Sequence, residues 1–394
     1  MNTNKLKIGL FGYGCVGQGL HDVLNNSVGF KADIVKICVK DIAKKRRLDM
    51  SNFTFNRDDI LDDSSINLVV ELIDDADEAL SIVKKAMQKG KSVVTANKRM
   101  IANNMEELLS LQAENNVSFL YEASACASIP IIRNLEEYYD NELLFSLRGI
   151  FNGSTNYILS QMYDNDLEFD TVLEDARQKG FVESDPSLDI DGYDAKFKLC
   201  IITAHAYGLV QKPEEVFHYG IRNINRFDIR FAREKGFKIK LVPYVGKVSP
   251  DTISSYVLPQ FISKDRYLFG VDNEFNGVVA EAAFSDKQFF YGKGAGGHAT
   301  GSAVLSDISA NSYGYRYEYK KRKQQSIRAY TRDIELKVYF RYSDDADLRK
   351  MSFISIDEAY TGKEFKYVIG TLSLSHLYKL RNDLLSMNAF IVRI

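Results

Sequence analysis

The chain has 394 residues, 45% hydrophobic and 26% charged, and 51 Lys and Arg against 53 Asp and Glu leave a formal net charge of −2. At ~150 residues per domain this length predicts two or three domains with a sizeable core. The near-neutral charge argues against a dedicated nucleic-acid binder, and Cys15, Cys38, Cys126 and Cys200, far apart and with no CxxC, argue against a disulfide framework or structural zinc.

Over the first ~130 residues short apolar runs alternate with helical patterns. Lys7–Phe11 is a short strand, and a helix runs from the glycines to about Asn25. Ile34–Val39, Leu68–Ile73, Ser92–Thr95 and Val117–Tyr121 are further strands, with helices at about Ala76–Lys89 and Asn103–Glu114. This alternation predicts a parallel sheet with helices on its faces. In the middle, Leu143–Phe151 and Lys238–Val245 read as strands, and Thr171–Lys179 and Asp194–Tyr207 as helices. Gly292–Gly297 is dense in glycine, and a helical pattern follows near Ser302–Ser309. Residues 315–333 are polar and locally basic, as expected of a solvated linker. The remaining residues order as βαββαβ, a ferredoxin-like pattern. The strands lie around Ile334–Phe340, Phe353–Ile356, Phe365–Leu374 and Ala389–Ile394, and the helices at Asp345–Lys350 and around Leu377, Leu380 and Leu384. No run has the ~18 apolar residues of a membrane helix, and the N-terminus lacks a signal-peptide pattern, so a soluble cytoplasmic protein is expected.

Gly12-Tyr13-Gly14-Cys15-Val16-Gly17 fits G-x-G-x-x-G between a predicted strand and a predicted helix. In that setting the first glycine permits the turn, the second lets backbone approach a pyrophosphate, and the third lets helix and strand pack. The helix N-terminus then faces the negative charge. Phe11, Gly12, Gly14, Cys15, Val16 and Gly17 are therefore candidate nucleotide contacts. The second strand ends at Val39-Lys40-Asp41, where such a fold reads the adenosine ribose. Asp41 can accept from a 2′-hydroxyl, whereas Lys40, with Lys44, Lys45, Arg46 and Arg47 nearby, can neutralise a 2′-phosphate. NADP is the expected cofactor, with NAD tolerated.

Gly180–Lys198 carries five carboxylates in twelve residues and then a helix, on which Asp194 and Lys198 share a face. By itself this is either an acidic loop with an ordinary i,i+4 pair, or a pocket for a small zwitterion. In the pocket, carboxylates bind an α-ammonium while the lysine handles a hydroxyl or carbonyl oxygen.

Six segments in order resemble homoserine dehydrogenase across about residues 5–310. They are Gly12–Gly17, Thr95-Ala96-Asn97-Lys98, Tyr121–Ser124 with Ile129-Pro130-Ile131, Gly149–Ile158, Gly180–Lys198, and Gly294–Gly297 with Thr300 and Ala303–Asp307. The resemblance implies NAD(P)-dependent interconversion of L-aspartate 4-semialdehyde and L-homoserine, a step of threonine, methionine and isoleucine synthesis. It makes Lys198 the acid/base and Asp194 its partner, with Lys98 at the cofactor–substrate junction able to share the role. It assigns Glu183, Gly180 and Asp189 to the substrate, and Ile73, Lys98, Gly294 and Gly296 to the cofactor. It implies a sodium or potassium site made by Glu122 with backbone carbonyls at Ala125, Ala127 and Ile129, oxygen ligands suited to a hard cation.

The implied fold is α/β. A Rossmann-type NAD(P)-binding domain spans 1–130 and is completed by about 300–314. A catalytic and dimerisation domain spans 131–299, a linker 315–333 and an ACT-like module 334–394. No kinase-like segment stands ahead of it, so the monofunctional form is expected, as a homodimer or larger homo-oligomer. Three features depart from the family pattern. Asp74-Asp75 stand where small residues are usual, Ser124-Ala125-Cys126-Ala127-Ser128 replaces a glycine-rich run, and Ser343–Asp347 replaces the Asp-x-x-Gly turn of ACT domains. Two alternatives remain open at this point: another NAD(P)-dependent oxidoreductase of small amino or hydroxy acids, and a non-catalytic nucleotide or amino-acid sensor.

Overall fold

The computed structural model describes residues 6–141, 143–327, 329–363 and 365–394. The chain forms two compact units, Met1–Asp140 with Lys293–Lys320, and Asn141–Gly292 with Lys321–Ile394. Among the described residues no helix is long and apolar enough to cross a membrane, and all four cysteines are free thiols.

In the first unit β1 (Lys7–Phe11), β2 (Asp33–Cys38), β3 (Phe53–Thr54), β4 (Leu68–Glu71), β5 (Ser92–Thr95) and β6 (Phe119–Leu120) form a parallel sheet. Their order is β3-β2-β1-β4-β5-β6. Ile8, Leu10, Val69, Val70, Val93 and Val94 are buried, because both faces of such a sheet are covered by helices. The order reverses between β1 and β4, and the carboxyl ends of these strands mark the switch point where such sheets bind nucleotides. Helix Gly297–Ser312 lies along helix Cys15–Asn26 at a crossing that requires glycine. A Cβ on Gly19 would stand 2.0 Å from the Gly297 carbonyl oxygen, and one on Gly301 would stand 2.5 Å from the Leu20 nitrogen.

Residues 315–320, the first part of the linker expected at 315–333, are not solvated along their length. Tyrosines alternate with polar residues there, as along a strand, and Tyr317 and Tyr319 turn inward and are buried. The Tyr121 and Tyr319 hydroxyls are 2.7 Å apart. The Glu136 carboxylate accepts from the backbone N–H of Glu318 and Tyr319, both at 3.0 Å.

The second unit is built on one mixed sheet. Its strands are β7 (Leu144–Ile150), β8 (Phe217–His218), β9 (Phe237–Ser249), β10 (Thr252–Ser263), β11 (Phe275–Ala282), β12 (Asp286–Lys293), β13 (Ala329–Tyr330), β14 (Glu335–Tyr342), β15 (Ser355–Thr361), β16 (Lys366–Ser373) and β17 (Ala389–Arg393). The order is β12-β11-β7-β9-β10-β17-β14-β16-β15, with β8 and β13 also on β10. The last four strands are antiparallel neighbours in ferredoxin-like order. They do not stand apart behind a linker. β17 meets β10 at the Gln260–Arg393 pair, and Arg341 of β14 bonds both carboxylate oxygens of Asp228, at 2.9 and 3.1 Å. The side of β10 away from β9 is shared by β13 at Thr252–Ile253, β8 at Tyr256–Val257 and β17 at Gln260, so its backbone groups are paired rather than left as an open edge.

Candidate active site

At the glycine turn, Gly12 has φ +93°, and a Cβ there would lie 2.5 Å from the Leu72 carbonyl oxygen. Only glycine tolerates that conformation and that approach. Gly17 is equally constrained, with the Gly12 carbonyl oxygen 2.4 Å from an added Cβ. Gly14 differs: a Cβ there meets nothing within 4 Å. It is the N-cap of helix Cys15–Asn26, has no side-chain capping bond, and no acidic residue stands in the first turn. The first N–H groups, from Cys15, Val16 and Gly17, thus face an open, uncompensated helix terminus of the kind that binds phosphate. The late glycine loop returns to this place, since an added Cβ on Gly297 would stand 2.6 Å from the Cys15 carbonyl oxygen. Gly294 and Gly296 are therefore close in sequence to a residue that touches the turn.

At the ribose end both sequence signals are partly engaged. Asp41 accepts from the backbone N–H groups of Ala43 and Lys44 at 2.8 and 3.2 Å, closing its own turn. Lys40 is exposed and lies 3.2 Å from Glu78. Arg47 donates to Asp22 at 3.0 and 3.1 Å. Of the Asp74-Asp75 departure, Asp75 has a structural role: it caps helix Ala76–Gln88, accepting from Asp77 and Glu78 N–H at 3.1 and 3.0 Å. Asp74 is exposed.

Next to the glycine turn, at the end of β4, lies a group no motif singled out. Glu71, wholly buried at the end of β4, accepts from Ile73 N–H at 2.7 Å and from the Thr95 hydroxyl at 2.5 Å. Burial pushes its carboxyl up to about 7 despite these donors. The Thr95 oxygen accepts from Asn97 N–H, and the Asn97 amide donates to the Ile73 carbonyl at 3.1 Å. Asn97 also caps helix Lys98–Asn115 through Met100 N–H. This set ties Ile73 to the turn that carries Lys98.

Glu122 is buried, and each of its oxygens accepts one backbone N–H, from Ile132 at 2.8 Å and Arg133 at 2.9 Å. Its own N–H donates to Asp307 at 2.8 Å, and Asp307 accepts from Arg133 at 2.7 Å. Burial, then the neighbouring Asp307, push Glu122 up to about 8, and burial pushes Asp307 up to about 6 against the pull of Arg133. Two buried carboxylates thus face one guanidinium, an excess of negative charge that a proton or a cation must balance. Ala127 adopts φ +48° in the same loop. Each Glu122 oxygen retains capacity for a second partner, so this carboxylate fits a monovalent cation, whereas the Ile129 carbonyl already accepts from Ile131 N–H at 2.8 Å.

In the second unit, Asn152 follows β7 and caps helix Gly153–Asn165 through Thr155 N–H at 2.8 Å. Its amide donates to Asp189 at 2.7 Å and to Asp194 at 2.8 Å. Asp194 lies 2.8 Å from the Lys198 ammonium, four residues on along helix Tyr193–Tyr207. Lys198 also donates to the Phe151 carbonyl at 2.7 Å. Both partners are nearly inaccessible, with side chains 10% and 6% exposed. Gly192, at φ +85°, starts the helix. The structure thus joins Asp189, Asp194 and Lys198, and adds Asn152 and the Phe151 carbonyl, which sequence reasoning quoted without a role. Asn276 also donates to the Phe151 oxygen, at 3.2 Å. Gly180, at φ +75°, and Glu183 lie on an exposed turn outside that bonded set.

The "Homoserine dehydrogenase" family model matches residues 130–309, and the "Homoserine dehydrogenase, NAD binding domain" model matches residues 12–122. The homoserine dehydrogenase of Helicobacter pylori is 37% identical over 313 residues, 77% of this chain and 73% of that protein. The homoserine dehydrogenase of Synechocystis sp. is also 37% identical, over 77% of this chain and 72% of its own. Among solved structures, a homoserine dehydrogenase from Thiobacillus denitrificans superposes with TM-score 0.85 at 28% identity, covering 99% of this chain and 98% of that one. A hyperthermophilic archaeal homoserine dehydrogenase mutant in complex with NADPH gives TM-score 0.67 at 29% identity, over 80% of this chain and 99% of that one.

Proposed function

From the premise that the chain belongs to the homoserine dehydrogenase family, we propose that Lys198 transfers the proton of its reaction. The protein is an NAD(P)-dependent oxidoreductase that interconverts L-aspartate 4-semialdehyde and L-homoserine. When bound, the nicotinamide supplies or takes up the hydride at the substrate carbon. The chain's task is then the substrate oxygen, which gains negative charge as the aldehyde is reduced. An ammonium has three N–H donors. Lys198 gives one to Asp194 and one to the Phe151 carbonyl. The third is left for the substrate oxygen, and that is the observation that carries this reading. Lys198 stabilises the developing charge and donates its proton; in the other direction its neutral amine accepts one. Asp194 fixes the amine's direction, while Asn152 holds Asp194.

Glu183 and Asp189, with Gly180 opening the turn, serve the substrate's ammonium end. Lys98 is a second candidate for the proton, supported by its place beside the Ile73–Asn97 contact. Lys40 and the basic residues after it favour NADP over NAD. Sodium or potassium sits against Glu122 and the carbonyls of Ala125, Ala127 and Ile129, supported by the charge excess there. A homodimer through the second unit is supported by two half-exposed aromatic stacks, Phe275–Tyr291 between β11 and β12 and Tyr267–Phe289 between the turn before β11 and β12. The reaction places the protein in threonine, methionine and isoleucine synthesis, in the cytoplasm. The ferredoxin-like order of β14–β17 supports an ACT-like ancestry for the C-terminal strands.

The test is homoserine-dependent reduction of NADP⁺ and NAD⁺ by the parent, Lys198→Ala and Lys98→Ala. Lys198→Ala should lower kcat by about a thousandfold with the fold intact. If Lys198→Ala keeps its kcat while Lys98→Ala loses it, the proton belongs to Lys98.

A further inference from the structure

The loop that carries Asp189 and Asp191 is held by a five-residue segment, Tyr219–Asn223, that no motif covers. A Cβ on Gly220 would stand 1.9 Å from the Ile190 carbonyl oxygen and 2.5 Å from Asp191 Cα, so the two backbones lie directly against each other. Ile221 N–H donates to the Ile190 carbonyl at 2.6 Å. Arg222 grips Asp191 with two parallel bonds, Nε and Nη2 to the two carboxylate oxygens at 2.7 and 2.6 Å. Asp191 lies in sequence between Asp189 and Asp194, the two carboxylates that share the Asn152 amide.

The segment has a rigid backing. The Tyr219 hydroxyl donates to the Ala389 carbonyl at 3.1 Å, and the Asn223 amide donates to the Met387 carbonyl at 3.0 Å. Arg341 donates to the Asn223 carbonyl at 2.6 Å and to Asp228. Arg341 and Asp228 are 3% and 0% exposed, so this anchor is shielded from solvent.

We propose that Arg222 is a positioning residue for substrate: by fixing Asp191 it sets where Asp189 and Asp194 stand, and so tunes affinity for homoserine. The proposal rests on the reading that those two carboxylates serve the homoserine site. A planar bidentate guanidinium–carboxylate pair defines position as well as energy, which a lysine's point charge cannot reproduce.

The test compares Arg222→Gln, Arg222→Lys, Asp191→Asn and the Asp191→Asn/Arg222→Gln double variant with the parent. Two readouts are used: steady-state kinetics, and amide hydrogen exchange of the peptide spanning 183–194. Arg222→Gln should raise KM for homoserine by about tenfold, with a smaller fall in kcat through Asp194 and the KM for NADP⁺ within about twofold. Arg222→Lys should recover part of the loss. The double variant should be no worse than the poorer single one, because both remove one interaction. Exchange in 183–194 should quicken in Arg222→Gln. The proposal is overturned by an unchanged homoserine KM, by multiplying effects in the double variant, or by unchanged exchange in that peptide. If the parent shows no homoserine turnover, the reading of the site fails instead, and the exchange measurement still decides whether Arg222 holds the loop.

Discussion

The nucleotide cradle of the first unit and the polar cluster of the second are made of different materials. The cradle is backbone: glycines, a helix terminus and a few N–H groups within Gly12–Gly17. The cluster is side chain, assembled from Asn152, Asp189, Asp194 and Lys198, with the Phe151 carbonyl. A backbone site is damaged by added atoms, whereas a side-chain site is damaged by changes of charge or donor that add none. The difference predicts opposite sensitivities to substitution.

After loss of Lys198 itself, the largest effect is expected where charge changes without shape. Asn152→Asp keeps an oxygen to cap Thr155 N–H, yet places a third carboxylate against Asp189 and Asp194. Like charges at that distance force a proton into the cluster and loosen the hold on Lys198. kcat/KM for homoserine should fall by at least about a hundredfold with the helix content unchanged. Retained activity would show that Asn152 caps its helix and does nothing more. Next comes Gly14→Ala, which adds one methyl to open space. Thermal stability should stay within about 2 °C of the parent, while the KM for NADP⁺ rises about ten- to a hundredfold as the pyrophosphate loses its N–H partners. Gly12→Ala, at φ +93° and against Leu72, should instead cost stability, about 2 kcal/mol or more. Equal behaviour of the two glycines would erase the distinction between cradle and turn.

The same contrast explains what the sequence disclosed. A backbone site is contiguous, so Gly12–Gly17 between a strand and a helix could be read from spacing alone. The Asp194–Lys198 pair could be read because it lies within one helical turn. The Asn152 bridge could not, because its partners are 37 and 42 residues away. Glu71 was hidden at the end of an apolar strand, where its partner Thr95 arrives only once β4 and β5 pair. Helix Lys98–Asn115 begins ahead of its periodic pattern because Asn104, at φ −127°, interrupts the helical geometry. Strand β10 escaped notice because Pro259 sits inside it, a residue that ordinarily argues against a central strand. The tyrosine alternation at 313–319 was in plain view and outweighed by the basic residues beside it.

Glu71 offers a smaller effect that bears on the first unit alone. Its carboxyl is raised by burial from 4.5 to about 7. Below pH 4.5 the folded and unfolded chains both carry the proton. From there to about 7 the unfolded chain releases it while the folded chain retains it, so this group's contribution to stability declines as pH rises, then levels off. The full decline is at most about 3 kcal/mol. Glu71→Gln removes that dependence. Relative to the parent, the variant should therefore gain stability between pH 4.5 and 7.5, read from urea unfolding at the two values. A constant difference between variant and parent would show that Glu71 is ionised in the folded chain, held by Ile73 N–H and the Thr95 hydroxyl.

The smallest effect tests a side chain placed at the backbone site. Lys40 is exposed and shared with Glu78 at 3.2 Å and Asp75 at 3.9 Å, so in the free chain the pair is worth little. Asp41, its neighbour, spends one oxygen on the N–H groups of Ala43 and Lys44, which makes it a poorer acceptor for a ribose hydroxyl than its position suggests. If Lys40 turns from Glu78 to a 2′-phosphate, Lys40→Ala should raise the KM for NADP⁺ about three- to fivefold, more at low salt than at high, and leave the KM for NAD⁺ unchanged. Glu78→Gln frees the lysine and should shift the NADP⁺ value the other way. Parallel changes for both cofactors would assign Lys40 to general steering of an anionic ligand. The phosphate would then be read by Lys44, Lys45 or Arg46, further along the turn that Asp41 closes.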